Sequence, residues 1–314
     1  MAMISARGLS KSYAGKPAVQ DLSFDVEPGS VTGFLGPNGS GKSTTMRLML
    51  GLDGGGGSTR FDGRAFSELK DPMRHVGALL EAKPFHPTRQ ARNHLRMLAA
   101  ANGISTRRVD EVLGLVGLHE VARAKPKTFS LGMGQRLGLA AALLGDPHTL
   151  ILDEPANGLD PQGIQWMRTL LQGLAREGRS VFVSSHLLSE MALMADHLVV
   201  IGKGTLIATG PIEDFVNSSR QNAVIVRTPD VDALVPLLEG RGATVIVTEP
   251  GTLSVTGMVI EAVGDLVFEH RLRLHELSPR VATLEEAFLE RTAGSEEFQA
   301  QVASPDAGTE GGRR

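Results

Sequence analysis

The stretch of sequence that decides the fold is Gly36-Pro37-Asn38-Gly39-Ser40-Gly41-Lys42-Ser43-Thr44. It satisfies the pattern G-x-x-x-x-G-K-[ST], and it lies between a short apolar run and a predicted helix. Glycines let backbone N–H groups turn towards a polyphosphate, and the N-terminus of the helix adds further donors. We expect Lys42 to neutralise phosphate oxygens and Ser43 to offer its hydroxyl to Mg²⁺. The alternative is a plain glycine-rich turn, which would not need to lie between a strand and a helix.

Two acidic residues follow a second apolar run, Leu150-Ile151-Leu152. A buried strand of a parallel sheet would deliver Asp153 and Glu154 at its carboxyl end, beside the phosphate loop. There Asp153 is expected to hold Mg²⁺ through water, and Glu154 to orient or deprotonate an attacking water. A purely structural role for the two acids is the alternative, and the nearby phosphate loop makes it less favoured.

A third polar residue, His186, follows the apolar strand Val181-Phe182-Val183. At the carboxyl end of a central strand it would lie within reach of a terminal phosphate, where a neutral His186 could accept a hydrogen bond from the water and donate one to a phosphate oxygen. Taken alone, a histidine after a strand more often caps or packs, and that alternative stays open.

The order of the predicted elements indicates an α/β fold. Strands are predicted at 4–9, 18–26, 30–35, 149–152, 180–183 and 197–201, the glycine run 54–57 predicts a loop, and 88–144 is helical. The last three strands are separated by helical stretches, which implies parallel pairing through right-handed crossovers.

The sequence after Gly210 predicts a second, smaller unit. Strands are predicted at 223–227, 243–248, 253–256 and 274–277, with helices at 231–239 and 260–271. This βαββαβ order is typical of a ferredoxin-like split unit. A further helix is predicted to open at Thr283 with a capping box to Glu286, and 295–314 is expected to be a flexible tail.

Composition excludes several classes of protein. The 314 residues are 41% hydrophobic and 21% charged, with a net charge of −3, so a wholly disordered chain is excluded. The absence of Cys excludes disulfides, thiol catalysis and Cys-ligated zinc. No apolar stretch approaches the roughly 20 residues that span a bilayer, and no secretory signal is visible. These features favour a soluble cytoplasmic protein.

Charge is unevenly distributed along the chain. Residues 84–145 hold nine Arg and Lys against three Asp and Glu, whereas 213–300 hold seven against fifteen. A solvated face is the usual reason for such an imbalance. Nucleic acid or an anionic membrane surface are the other interpretations of the basic segment.

These motifs, together with Ser130-Leu131-Gly132-Met133, resemble the nucleotide-binding ATPase subunit of ABC transporters over residues 3–212. The resemblance implies a P-loop ABC-type ATPase domain (1–212) with an inserted helical subdomain at about 84–145, an α+β accessory unit (213–294) and the tail. It implies that two subunits sandwich two ATP molecules with Mg²⁺. Ser130 and Gly132 would then contact the γ-phosphate bound to the other subunit.

Three further site residues follow from the same resemblance. Tyr13 falls where the family stacks an aromatic ring on adenine, although ordinary edge packing is the alternative. Asp160 matches the loop that crosses the dimer interface. Glu81 stands where the family usually has glutamine. It is expected to ligate Mg²⁺, and a plain surface acid is the alternative.

In the details of these motifs the chain is similar to one subgroup of the family. This subgroup comprises the ATPase subunits of bacterial drug and peptide exporters of the bacitracin- and daunorubicin-resistance kind. The resemblance implies ATP hydrolysis, a separate membrane permease, a second ATPase subunit (a homodimer is expected) and a location on the cytoplasmic face of the membrane. The alternative is a soluble ATP switch acting on nucleic acid or the ribosome. A regulator that does not hydrolyse ATP is disfavoured because Glu154 and His186 are both present.

Overall fold

The computed structural model describes residues 3–81, 85–217, 219 and 222–292; Pro84 and the expected tail at 295–314 lie outside them. The strands are β1 (Ile4–Tyr13), β2 (Lys16–Val26), β3 (Val31–Leu35), β4 (Gly56–Phe61), β5 (Val76–Leu79), β6 (Thr149–Leu152), β7 (Ser180–Ser185), β8 (His197–Gly202), β9 (Thr205–Pro211), β10 (Ala223–Arg227), β11 (Thr244–Glu249), β12 (Thr252–Thr256) and β13 (Glu276–Arg280). The helices are α1 (Lys42–Met49), α2 (Pro72–His75), α3 (Ala91–Ala101), α4 (Thr106–Leu115), α5 (Leu131–Ala142), α6 (Pro161–Arg176), α7 (Leu188–Met194), α8 (Ile212–Asn217), α9 (Val231–Gly240), α10 (Ile260–Glu269) and α11 (Leu284–Thr292).

The central sheet has the strand order β5-β6-β7-β3-β8-β9. Its first five strands run parallel, which confirms the prediction from the alternating strands and helices, and β9 adds antiparallel to β8. Every residue of β3 is buried, as is usual for a parallel strand covered on both faces. The carboxyl ends of β3, β6 and β7 therefore meet at one edge of the sheet.

A three-stranded antiparallel sheet, β2-β1-β4, covers one face of the central sheet. Three rings join the layers: the centroid of Phe24 lies 5.8 Å from that of Phe34 and 5.4 Å from that of Phe182. The prediction of a loop at 54–57 is wrong in its second half, because β4 begins at Gly56. A side chain at Gly57 would place its Cβ 2.5 Å from the carbonyl oxygen of Arg7, so glycine here permits a close approach of β1 and β4.

A helical layer, formed by α3, α4 and α5, covers the other side of the core. The apolar residues that repeat with the helical period in α3 and α4 are buried: Ala91, Leu95, Ala99, Val109, Val112 and Leu113 are 0% exposed. Ser105 caps α4, and Ser130 caps α5 by accepting a hydrogen bond from Met133 N at 3.2 Å. The layer thus delivers Ser130 and Gly132 at the N-terminus of a helix.

The C-terminal unit has a separate antiparallel sheet in the order β11-β12-β10-β13, the arrangement of a split βαβ unit. Its core is separate too, formed by α9, α10 and the inner face of the sheet. The predicted last strand at 274–277 is displaced: β13 begins at Glu276. Before the strand, Asp230 accepts hydrogen bonds from the backbone and side chain of Arg273, and His275 N donates to Arg227 O of β10 at 2.8 Å.

Two helices that flank this unit in sequence pack on the ATPase core instead. Phe215 of α8 and Leu284 of α11 are buried in the same cluster as Met191 and Met194 of α7. The predicted capping box at the start of α11 is present, with Thr283 N donating to Glu286 Oε2 at 2.9 Å and Glu286 N to Thr283 Oγ1 at 3.2 Å. The small sheet is therefore tied to the larger body on both sides.

No helix within the described ranges has the length and apolar character that crossing a membrane requires.

Candidate active site

The phosphate loop lies at the carboxyl end of β3, between β7 and β8, and it leads directly into α1. Gly41, immediately before α1, has a φ of 101°, in the region that favours glycine. A Cβ at this position would lie 2.5 Å from the carbonyl oxygen of Ala18. The loop can therefore take this path only with glycine at position 41.

The ammonium group of Lys42 is held inside the loop. Its Nζ donates to the carbonyl oxygens of Gly36 at 2.7 Å and Pro37 at 3.3 Å, and it lies 3.9 Å from Glu154 Oε1. The side chain is only 8% exposed. Burial lowers the pKa of Lys42, and the carboxylates of Glu154 and Asp153 oppose that shift.

A buried serine connects the two acids at the end of β6. Ser184 Oγ, on β7, donates a hydrogen bond to Asp153 Oδ1 and accepts one from Glu154 N at 2.9 Å. Asp153 N donates to Leu79 O at 2.7 Å, which fixes the acid against the neighbouring strand β5. Ser184 therefore sets the positions of both acids.

Glu154 and His186 are in direct contact. Glu154 Oε2 lies 2.7 Å from His186 Nδ1 and 3.4 Å from His186 N. Glu154 has a φ of 48°, a left-handed conformation that is uncommon for a residue other than glycine. A carboxylate only accepts hydrogen bonds, so Nδ1 carries the hydrogen and Nε2 of a neutral ring is left as an acceptor.

The predicted residues of the phosphate loop and the catalytic pair meet around one cavity of about 430 Å³. Its lining is Tyr13, Ala18, Asn38, Gly39, Gly41, Lys42, Ser43, Thr44, Glu154, Asn157 and His186. Asp153 lies behind Glu154 and is not part of the lining. A polyphosphate entering this cavity would meet the donors of the loop on one side and Glu154 on the other.

Tyr13 is placed at the rim of the cavity by a polar network. It is 47% exposed, and its hydroxyl donates to Asp53 Oδ2 at 3.0 Å. Arg47 makes two hydrogen bonds to the same carboxylate, at 3.0 and 3.1 Å, and these lower the pKa of Asp53. The Tyr13 ring is thus fixed with much of its surface open.

Eight predicted site residues do not line this cavity: Gly36, Pro37, Ser40, Asp153, Ser130, Gly132, Asp160 and Glu81. Ser130 and Gly132 lie at the start of α5, where a Cβ on Gly132 would be 3.2 Å from the carbonyl oxygen of Gly158. Asp160 caps α6, accepting from Gly163 N at 2.9 Å. Glu81 lines a different cleft, of about 620 Å³, together with Arg47 and His94.

Sequence reasoning missed Ser184, Ala18 and Asp53 as parts of the site. Serine and alanine are common near the ends of strands, so neither stands out in a sequence. Each of the three residues meets the site only because the fold brings together segments that are distant in sequence. The position of Ser184, two residues before His186 at the end of a predicted central strand, was the one available signal.

Comparison with known proteins identifies the family. Residues 19–157 match the ABC transporter family, and 222–285 match a domain family of unknown function. The ABC transporter ATP-binding protein YhcH of Bacillus subtilis is 36% identical over 299 residues, which are 94% of this chain and 97% of that protein. The chain belongs to the family of ABC transporter ATP-binding proteins. The alternative of an ATP switch acting on nucleic acid or the ribosome is not supported by these relatives.

Two further matches agree with this ABC family assignment. The bacitracin transport ATP-binding protein BcrA of Bacillus licheniformis is 40% identical over 223 residues, 70% of this chain and 73% of that protein. A solved structure of an ATP-binding subunit of an ABC transporter is similar with a TM-score of 0.62 and 26% identity, over 68% of this chain and 92% of that one. The ABC ATPase fold predicted from the motifs is confirmed.

Proposed function

We propose that this ABC subunit hydrolyses ATP to power a separate membrane permease that exports a drug, a peptide or another hydrophobic compound. The observation that carries the proposal is the contact of Glu154 with His186 beside Lys42, around a cavity lined by the phosphate loop. The bacitracin transport ATP-binding protein among the relatives supports the class of cargo.

Glu154 is proposed as the residue that takes the proton from water. Water attacks the γ-phosphorus, its proton passes to the Glu154 carboxylate, and the bond to ADP breaks to release phosphate. Nδ1–H of His186 holds one oxygen of the carboxylate, so the other oxygen remains for the water. With its hydrogen on Nδ1, a neutral His186 can accept through Nε2; donation to phosphate would need the charged ring.

The residues present fit a magnesium ion. Ser43, on the cavity wall, and Asp153, behind it, offer oxygen ligands, and Mg²⁺ commonly takes one or two of these together with phosphates and waters. We propose that Ser43 and Asp153 hold Mg²⁺, which supplies charge neutralisation on the phosphates when bound. Glu81 is also proposed as a ligand of this ion, although within one chain it lines the other cleft.

A second copy of the chain is proposed to complete each site. Ser130 and Gly132 lie at a helix N-terminus, a place where anions bind well, yet they are absent from the lining of their own chain's cavity. Two chains facing each other would bring Ser130 and Gly132 of each chain to the nucleotide bound by the other, with Tyr13 against adenine and Asp160 near the interface. The assembly would lie at the cytoplasmic face of the cell membrane.

The domain division is also a proposal. We assign 1–212 to the ATPase domain, with its helical subdomain at about 84–145, 213–294 to the accessory unit, and 295–314 to a tail. The separate core of β10–β13 with α9 and α10 supports an accessory unit. By packing, α8 and α11 attach that unit to the ATPase domain.

Purification of the tagged chain from detergent-solubilised membranes of its own cells tests the proposal. We expect a polytopic membrane protein to co-purify in stoichiometric amount and the ATPase rate of the complex to respond to the exported compound. Tight binding to duplex DNA at about 200 mM salt, with no membrane partner, would contradict the exporter function.

A further inference from the structure

The cations of the helical layer fall into three groups. Arg92, Arg107 and Arg108 are paired with carboxylates of Asp110, Glu111 and Asp146. A further arginine, on α5, lies over the ring of Trp166, 4.3 Å from its centroid. The remaining cations of this layer have no carboxylate partner in the described part of the chain; they are Arg89, Arg96, Arg123, Lys125 and Lys127.

Backbone hydrogen bonds bring four of these cations onto one surface. Lys127 N donates to Pro87 O at 2.9 Å, and Ala91 N donates to Ala124 O at 3.1 Å. The segment that carries Arg89 therefore runs beside the segment that carries Arg123, Lys125 and Lys127. We call these four side chains the cationic patch. Three of them are exposed and Arg89 is half-buried.

Negative charge is sparse in the segment that carries the cationic patch, although Glu81 lines the same cleft as Arg89. Between residues 85 and 130 the acids are Asp110, Glu111 and Glu120, and the first two are already paired with arginines of the same layer. Glu120 is left as the single unpaired carboxylate of that range. Exposed Met97 adds an apolar side chain at the rim, where Arg89 Nη1 lies 2.8 Å from its sulfur.

We propose that the cationic patch binds anionic lipid headgroups, so that the helical layer rests directly on the membrane surface. The proposal rests on the proposed function, which places the chain beside a membrane permease. Exposed cations within a Debye length of an anionic bilayer are attracted to it, and each contributes about a five-fold factor in affinity. An exposed methionine beside the cations suits the apolar boundary below the headgroups.

Nucleic acid suits this surface less well. Binding of single strands uses exposed aromatic rings on which bases stack. Two phenylalanines, Phe85 and Phe129, lie next to the cationic patch in sequence, and both are half-buried. Phe85 packs edge-on against His94, with 6.3 Å between ring centroids. The patch thus offers charge without a stacking platform.

Co-sedimentation of the full chain with lipid vesicles tests the proposal. The probes are vesicles of phosphatidylcholine alone and vesicles with about 30% phosphatidylglycerol. The test variant carries Arg123→Gln, Lys125→Gln and Lys127→Gln. The control variant carries Arg64→Gln, Lys70→Gln and Arg176→Gln, which remove the same charge from exposed positions elsewhere.

We expect the parent and the control variant to bind the anionic vesicles alike, and the test variant to bind them on the order of 100-fold more weakly. The parent should not bind neutral vesicles, and added salt should weaken its binding. Equal binding by both variants, equal binding to both vesicles, or tighter binding of the patch to duplex DNA would overturn the proposal. The ATPase rate of the same samples is measured without vesicles. A chain that fails to hydrolyse ATP would count against the proposed function, whereas the lipid proposal is decided by the vesicle binding alone.

Discussion

At the scale of single residues, the active site depends on a side chain that is neither acid nor base. Ser184 bonds to both Asp153 and Glu154 from the neighbouring strand, and it is 0% exposed. The acids end a strand and have few other polar partners in the described structure. Ser184 is therefore a positioning residue for hydrolysis.

Ser184→Ala should lower kcat about 10- to 100-fold with little change in the KM for ATP, because the acids lose their position while the phosphate loop stays intact. The unpaired Glu154 N–H should also cost about 1 to 3 kcal/mol of stability. Steady-state kinetics and thermal unfolding measure both effects. Ser185→Ala is the matched control: its Oγ accepts only from Leu187 N, so kcat should be retained. Equal kcat in both variants would remove Ser184 from the site.

Lys42 is expected to lower the stability of the fold while it serves ATP binding. Burial lowers its pKa, so the folded chain binds this proton less tightly than the unfolded chain. Stability then rises with pH across the range between the lowered value and the ordinary 10.5, and at neutral pH the buried charge is a net cost.

Lys42→Met should therefore raise Tm by roughly a few degrees at neutral pH and abolish ATP binding. Calorimetric unfolding of parent and variant between neutral and alkaline pH, with ATP titration, provides the measurement. The difference in Tm between the variant and the parent should become smaller as the pH rises, because the parent loses the cost of the buried charge. A variant that is less stable than the parent at neutral pH would show that the two hydrogen bonds to loop carbonyls outweigh the cost of burial.

At the scale of elements, a contact between side chains joins α5, which Ser130 caps, to α6, which Asp160 caps. The guanidinium of Arg136 lies 4.3 Å from the centre of the Trp166 ring, and it donates to Val116 O at 3.3 Å. Since Ser130 caps α5 and Gly132 lies in its first turn, this contact fixes the direction in which these two residues face the proposed partner chain.

Arg136→Leu should cost about 1 to 2 kcal/mol and change the fluorescence of Trp166, which is the single tryptophan of the chain. Arg107→Leu is the control, since its exposed pair with Glu111 contributes less than about 0.5 kcal/mol. Denaturant unfolding followed by tryptophan emission compares them. Identical midpoints and emission for both variants would contradict a role for the contact.

The sequence predicted elements best where the pattern is local. The phosphate loop is contiguous, and the apolar faces of α3 and α4 repeat with the helical period. By contrast, Gly56 and Gly57 suggest a loop until the pairing of β4 with β1 is known, and the start of β13 is defined by its pairing with β10. Such long-range contacts leave no local signal.

At the scale of the whole molecule, α11 returns to the ATPase domain after the accessory sheet. Leu284 is 4% exposed in the core that includes Met191 of α7, and α7 begins two residues after His186. The apolar residues of α11 predict a buried face, but not the surface that covers it. The accessory unit is therefore joined to the helix next to the active site.

Leu284→Ala should destabilise the ATPase domain by about 2 to 5 kcal/mol, because it leaves a cavity in that core. Leu289→Ala, at a position that is 57% exposed on the same helix, should change stability by less than about 0.5 kcal/mol. Unfolding followed by Trp166 emission reports on the ATPase domain itself. Equal midpoints would mean that α11 does not contribute to its core.

The mass of Glu154→Gln in solution with Mg²⁺ and ATP tests the central claim most directly. If Glu154 is the base and two chains close on ATP, the variant binds ATP, fails to turn it over and accumulates as a dimer. Light scattering should then give twice the 33.3 kDa of one chain, and the parent should return to the monomer as ATP is consumed. A variant that stays monomeric with ATP bound, or that hydrolyses ATP at the parent rate, would contradict the account.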